Sequence, residues 1–222
     1  MHVAETFKRR VFVVDDHPIV RAGLAQLINR EPDLEVCGDA EEMHAALHTI
    51  DSLKPDILIV DISLTGPDGL ELLKTIRSKD PGLPVLILSM HDESIYAERA
   101  LRAGANGYIM KQEATDRVLI ALRRILNREI YVSDRVASKM LRQYVGAAGD
   151  RSPLDGLSDR ELEVLRLIGE GQTTRQIAEQ LHLSVKTVES YQSHLKEKLG
   201  LKNSRELFQY AIQFRGERYA RD

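Results

Sequence analysis

The chain has 222 residues, 43% of them hydrophobic and 29% charged, with a net charge of −3; this is an ordinary globular composition, and a length above the roughly 100–150 residues of one domain predicts two. Its longest purely apolar runs, ILIV and VLIL, fall far short of the roughly 18 residues that a membrane span needs, which excludes a transmembrane helix. A single cysteine, Cys37, excludes an internal disulfide and any cysteine-based zinc site.

The N-terminal MHVAETFKRR has basic residues with no apolar region behind them, so no secretory signal is read and a cytoplasmic location is expected. Charge is distributed unevenly. Residues 1–150 carry 19 Lys+Arg against 23 Asp+Glu, net −4, while the last 72 carry 12 against 11, net +1. The C-terminal part is therefore the better suited to an acidic partner.

From residue 10 to 127, apolar runs alternate with helix-period segments. VFVV (Val11–Val14), LEVCG (Leu34–Gly38), ILIV (Ile57–Val60), VLIL (Val85–Leu88) and GYIM (Gly107–Met110) predict five strands. Between and after them IVRAGLAQLI, AEEMHAALHTI, GLELLKTIR, SIYAERALRAG and DRVLIALRRIL predict five helices. The alternation describes an α/β domain, a doubly wound five-stranded parallel sheet of the flavodoxin type.

In such sheets ligands gather outside the carboxyl ends of the strands. There the sequence places Asp15 and Asp16 after the first strand, Asp61 at the end of the third, Ser89 after the fourth and Lys111 after the fifth. Asp39, at the end of the second, lies toward the sheet edge and is given no role. Three carboxylates in one crevice repel unless a cation lies among them, and an all-oxygen set suits Mg²⁺. Such a crevice can hold a phosphoryl group: Asp61 attacks phosphorus to form an acyl phosphate, while Mg²⁺, Ser89 and Lys111 bind its oxygens.

These residues resemble the receiver domain of two-component response regulators. The likeness runs through VVDDHPIVRAGL (Val13–Leu24), the DxxxxxxxG spacing from Asp61 to Gly69, LSMHDE (Leu88–Glu93) and AGANGYIMK (Ala103–Lys111). It implies that a histidine kinase phosphorylates Asp61, and that Asp15, Asp16 and the Ser63 backbone carbonyl, with Asp61 itself, hold Mg²⁺. It also implies that Ser89 and Tyr108 form a switch: phosphorylation draws Ser89 inward and Tyr108 moves into the space behind it. One departure stands out. Leu64 and Thr65 occupy the places where receivers usually have Met-Pro, and Pro67 is displaced by two positions, which bears on phosphoryl lifetime. Ser63 and His91, two residues beyond Asp61 and Ser89, stand where a side chain can influence attacking water.

After Asn127 the sheet pattern stops. SDRVASKMLRQYV, with Ser133 as N-cap, predicts one more helix, and the Gly/Pro/Asp-rich stretch from Gly146 to Gly156 predicts a linker. The expected division is a receiver at residues 8–127, a linker region with a helix at 128–155, and a smaller all-α domain at 156–222. In that last part the capping boxes Ser158/Glu161 and Thr173/Gln176, with Ser184 and Asn203/Glu206, mark four helix starts.

TRQIAEQLHLSVKTVESY has helix-turn-helix geometry, with Ile177, Ala178, Leu181, Leu183 and Val188 inward. From about Leu157 to Phe214 the sequence resembles the LuxR-type domain of the NarL/FixJ group, which implies binding to double-stranded DNA, commonly as a homodimer. In the third helix Val188, Tyr191, Leu195 and Leu199 form the buried stripe. Lys186, Thr187, Glu189, Ser190, Ser193 and Lys196 are the candidate DNA-contact residues, with Lys198 assigned to phosphate. Tyr210 or Phe214 in the last helix is a candidate dimer contact, and the tail RGERYARD is expected to fray.

Two other readings bear on the same residues. A phosphatase of the haloacid dehalogenase type would need a second aspartate two residues after the nucleophile, where Ser63 stands, so an enzyme is not expected. A phosphorylation-independent factor using a degenerate receiver for dimerisation is opposed by the full set of Asp15, Asp16, Asp61, Ser89 and Lys111.

Overall fold

The computed structural model describes residues 7–64, 69–145 and 153–219, and the chain divides into two compact units, residues 1–147 and 148–222. The first contains β1 (Arg9–Val14), α1 (Pro18–Asn29), β2 (Leu34–Ala40), α2 (Met43–Leu53), β3 (Ile57–Asp61), α3 (Gly69–Lys79), β4 (Val85–Ser89), α4 (Glu93–Arg102), β5 (Gly107–Met110), α5 (Ala114–Leu126) and α6 (Asp134–Tyr144). The sheet is parallel, in the order β2-β1-β3-β4-β5.

Strands β3 and β4 are buried along their whole length, as parallel strands covered on both faces must be. On one face Val11, Val13, Ile57, Ile59, Leu86 and Leu88 pack with Leu24 and Ile28 of α1 and Val118, Ala121, Leu122 and Ile125 of α5. The chain reverses its strand order at β1, between β2 and β3, so the ends of β1, β3, β4 and β5 open onto one crevice.

Two boundaries differ from expectation. β2 runs on to Ala40, and α2 starts only at Met43 with Glu42 in extended backbone as its N-cap. Ala40 pairs with Val14 in the sheet, and this pairing outweighs the helical period of the same residues. The segment after Asn127 is also more integrated than a linker. The Tyr131 carbonyl accepts from the Tyr108 N–H at 2.9 Å, and the Tyr131 N–H donates to the Asn106 carbonyl at 3.0 Å. Gly107 permits this approach, because a Cβ there would lie 2.8 Å from the Tyr131 oxygen. α6 then packs on α4, with Ser133 Oγ accepting from the Val136 N–H at its start. The expected linker core, residues 146–152, lies outside the described residues.

The second unit contains α7 (Asp159–Gly169), α8 (Thr174–Gln180), α9 (Val185–Leu199) and α10 (Ser204–Tyr219). Both expected capping boxes form, at Ser158/Glu161 and Thr173/Gln176, and Ser184 caps α9 by accepting from the Thr187 N–H. Asn203 caps α10 through the Glu206 N–H at 3.0 Å, while Glu206 reaches back to the Lys202 N–H at 2.7 Å. The α8–α9 turn passes through His182 at φ 53, and the Leu183 N–H closes it on the Ala178 carbonyl. Leu162, Leu165, Ile177, Ala178, Leu181, Val188, Leu195, Leu207 and Ala211 are buried. α10 continues through Tyr219, so Arg215–Tyr219 are helical where a frayed tail was expected.

Candidate functional site

Each strand end delivers its residue to the crevice. Asp15, Asp61 and Ser89 are each no more than 1% exposed. Lys111, just past β5, places its Nζ 2.7 Å from Asp61 Oδ2 and 2.7 Å from Asp15 Oδ2. Burial pushes the Asp61 carboxyl above its ordinary pKa, and the Lys111 charge opposes this without cancelling it. Burial alone would lower the Lys111 pKa, but Asp61 and Asp15 outweigh it, so the ammonium is held charged.

Donor atoms of Asp15, Asp16, His17 and Asp61 all lie within 4.8 Å of one another. One ammonium faces three carboxyl groups, so hard oxygen donors and excess negative charge fit this cluster to a divalent cation. Ser63 fixes the acceptor from its other side, its N–H donating to Asp61 Oδ1 at 3.0 Å.

The spacing from Asp61 to Gly69 has a steric cause. The Gly69 N–H donates to the Ile62 carbonyl, and a Cβ on Gly69 would fall 2.0 Å from the Asp61 carbonyl oxygen. Leu64, one of the two departures from the receiver pattern, is buried; Thr65 and Pro67 lie outside the described residues. Asp39, given no role from sequence, accepts from Arg21 Nε at 2.8 Å, and the same guanidinium donates to the Asp15 carbonyl at 2.6 Å. The edge acid thus braces the end of β1.

The switch residues form one chain of hydrogen bonds through His91. Its N–H donates to Ser89 Oγ at 3.0 Å, and its carbonyl accepts from the Tyr108 hydroxyl at 2.8 Å. The His91 ring stacks on Tyr96 at 4.5 Å. Tyr108 lies inside, 1% exposed, with Asp61 unphosphorylated. Burial holds the phenol far above its ordinary pKa, which keeps the proton that bonds His91.

Sequence reasoning missed α6 as part of this network. Arg135 reaches Glu93 Oε1 at 3.1 Å and Asp92 Oδ1 at 3.3 Å, Ser133 Oγ donates to Glu93 at 2.7 Å, and Lys139 donates to the Ser94 carbonyl at 2.7 Å. Only the acidic start of α4 hinted at it. His17 was missed as well; its position directly after two aspartates was the available signal, and Pro18 drew the reading toward a helix start.

In the second unit Lys186, Glu189, Ser190 and Ser193 are exposed on α9, and Thr187 and Lys196 are half-buried. The Thr187 hydroxyl meets Ser184 Oγ at 2.7 Å, and the Ser190 and Ser193 hydroxyls donate back to the Lys186 and Glu189 carbonyls. Lys198, assigned to phosphate, donates from Nζ to Glu161 Oε2 at 2.7 Å; a buried carboxylate needs this counter-charge. Phe214 is buried and Tyr210 half-buried, so core packing occupies Phe214, while Phe208 and Ile212 are the outward apolar residues of α10. Gln192, not foreseen, ties α9 to the Thr174 hydroxyl of α8 at 3.2 Å.

Comparison with known proteins agrees with both halves. Residues 11–123 match the response regulator receiver domain, and residues 155–211 match the bacterial regulatory proteins of the luxR family. The oxygen regulatory protein NreC of Staphylococcus aureus is 36% identical over 209 residues, covering 91% of this chain and 96% of its own. RcsB of Salmonella enterica serovar Typhimurium, solved bound to the rprA promoter with the phosphomimetic BeF3−, is 29% identical, with a TM-score of 0.64 and coverage of 92% of this chain and 98% of that one. A LuxR-family two-component response regulator from Aurantimonas sp. SI85-9A1 is 35% identical, with a TM-score of 0.58, covering 62% of this chain and 99% of that one. Among the described residues no helix is long and apolar enough to cross a membrane. With a receiver and a LuxR-type DNA-binding domain in one chain, the protein belongs to the NarL/FixJ group of response regulators, the transcription regulators whose DNA binding is controlled by phosphorylation.

Proposed function

We propose that Asp61 accepts a phosphoryl group from a cognate histidine kinase in the cytoplasm, and that the phosphorylated chain binds double-stranded DNA as a homodimer. The observation that carries this reading is the Lys111 ammonium set 2.7 Å from both Asp61 and Asp15, with all three side chains almost fully buried. An Asp61 oxygen attacks the phosphorus of a phosphohistidine; the new P–O bond forms as the P–N bond breaks, and the imidazole leaves.

Lys111 then turns to a phosphoryl oxygen, and the Ser89 hydroxyl, which accepts from the His91 N–H, donates to another. Asp15, Asp16, Asp61 and the Ser63 carbonyl would hold Mg²⁺, which when bound would neutralise charge on the phosphoryl oxygens. As Ser89 turns to the phosphoryl group it carries the His91 N–H bonded to it, and α6 is pinned to the start of α4 just beyond, through Asp92, Glu93 and Ser94. The segment leading to the DNA-binding unit thereby receives the signal. On α9, Lys186, Thr187, Glu189, Ser190, Ser193 and Lys196 present the base-reading face, and that the RcsB relative is solved bound to a promoter supports DNA as the partner.

The test incubates the protein with acetyl phosphate and Mg²⁺ and measures phosphate incorporation and DNA retardation. Incorporation of one phosphate, with stronger retardation, is expected for the wild type and neither for Asp61→Asn. Incorporation that persists in the variant rejects the assignment.

A further inference from the structure

We infer that His17 supplies a nitrogen donor to the cation held by Asp15, Asp16 and Asp61, so that this receiver favours Mn²⁺ over Mg²⁺ more than an all-oxygen site would. The inference rests on the phosphoryl-acceptor reading of the same cleft and adds a ligand to it.

His17 is the residue between the acidic pair and α1. It takes extended backbone, φ −91 and ψ 109, as the N-cap, with Pro18 at the first helical position, and its side chain makes no capping bond. The ring turns to the acids. Its Nδ1 stands 2.6 Å from Asp16 Oδ1 and 3.2 Å from Asp15 Oδ1, and the backbone N–H of His17 donates to Asp15 Oδ1 at 2.8 Å. The ring thus makes polar contacts with two carboxylates, and the donor atoms of Asp15, Asp16, His17 and Asp61 all lie within 4.8 Å of one another, so an ion entering among them can take the place of the ring proton. The carboxylates come from three places, the buried Asp15 and Asp61 and the partly exposed Asp16, whereas the ring is 60% exposed and stands at the mouth. A neutral imidazole there takes the place of one water.

The chemical consequence is selectivity. Mg²⁺ is a hard ion that keeps oxygen ligands and gains little from imidazole, whereas affinity of nitrogen-containing sites rises along the first-row divalent ions from Mn²⁺ onward. The carboxylates beside the ring hold its Nδ1 toward the cluster that would receive the ion.

The experiment uses the full chain with Mn²⁺ alone as the probe. Electron spin echo spectra of the wild type are expected to show modulation from one directly bound imidazole ¹⁴N, absent in His17→Ala and His17→Gln. Competition titration, read from the free Mn²⁺ signal, should show the Mn²⁺ preference over Mg²⁺ falling about tenfold in both variants. Mn²⁺ held by the wild type without nitrogen modulation overturns the inference whatever the variants do, and leaves the acceptor site standing. An unchanged preference in both variants, with phosphorylation intact, overturns it too. Mn²⁺ binding that survives Asp15→Asn and Asp61→Asn together removes the metal site itself, and with it the role of His17.

Discussion

The Ser63 hydroxyl and the His91 Nε2 meet at 3.1 Å, one residue carried two positions beyond Asp61 and the other two beyond Ser89. His91 is buried and its ring is held by the stack on Tyr96, so the pair closes one side of the acceptor site. Such closure keeps water from an acyl phosphate. Ser63→Ala or His91→Ala is expected to shorten the phosphoryl lifetime roughly fivefold, the equivalent of one hydrogen bond of about 1 kcal/mol. Decay of labelled phosphoprotein measures it, and the double variant should be no faster than the singles. Lifetimes equal to wild type would show that the pair does not gate water.

Asp61 is a buried acid whose pKa is raised above its ordinary value of 3.8. A raised acid favours the folded state while protonated, and that contribution is lost as pH rises through the window just above 3.8. Asp61→Asn should therefore stabilise the receiver at neutral pH by about 0.5–2 kcal/mol, the usual gain on relieving a functional site. Thermal unfolding at several pH values checks this. The gap between variant and wild type must close on acidification, when both side chains are neutral.

Arg135 joins α6 to Asp92 and Glu93 at the start of α4. Arg135 is half exposed while Glu93 is buried and keeps the Ser133 hydroxyl, so Arg135→Ala should cost about 1 kcal/mol yet still fold and accept phosphate. Its effect belongs to coupling. The change in DNA affinity on adding beryllofluoride is expected to shrink relative to wild type in a retardation titration, and an undiminished response would place the coupling elsewhere.

Lys186 and Lys198, two of the three lysines of α9, should separate by salt dependence. Lys186 is exposed on the face of α9 proposed to read bases, and Lys186→Ala is expected to lower the slope of log affinity against log salt by about 1. Lys198 is paired with Glu161, which accepts the Ser158 N–H and is held below its ordinary pKa; burial opposes this lowering, and Lys198 and Ser158 outweigh it. Glu161→Gln should cost the DNA-binding unit about 1 kcal/mol at neutral pH, discounted because Lys198 is partly exposed. A lowered acid stabilises above its unfolded value, here 4.5, so the cost must fade as pH falls below that value. Urea titration of the full chain follows it.

The sequence by itself determined the five strands, the helices between them and the acids at the strand ends, because a buried parallel strand must be continuously apolar and a ligand can meet it only at its end. Helix starts in the second unit were legible for a similar reason: an N-cap bond spans three residues and needs no tertiary partner. What only the tertiary structure decided were pairings between residues far apart in the chain. Asp39 looked idle until Arg21 tied it to Asp15, and Lys198 looked free until Glu161 was found buried beneath it. Tyr131 and Arg135 read as linker, yet β5 and α4 supply the backbone groups and carboxylates they satisfy. A periodic pattern records which face of an element is buried. It carries no record of which charge or hydrogen-bonding group waits on the neighbouring element, and those groups decide how the acceptor site is braced, closed and joined to the helix that follows.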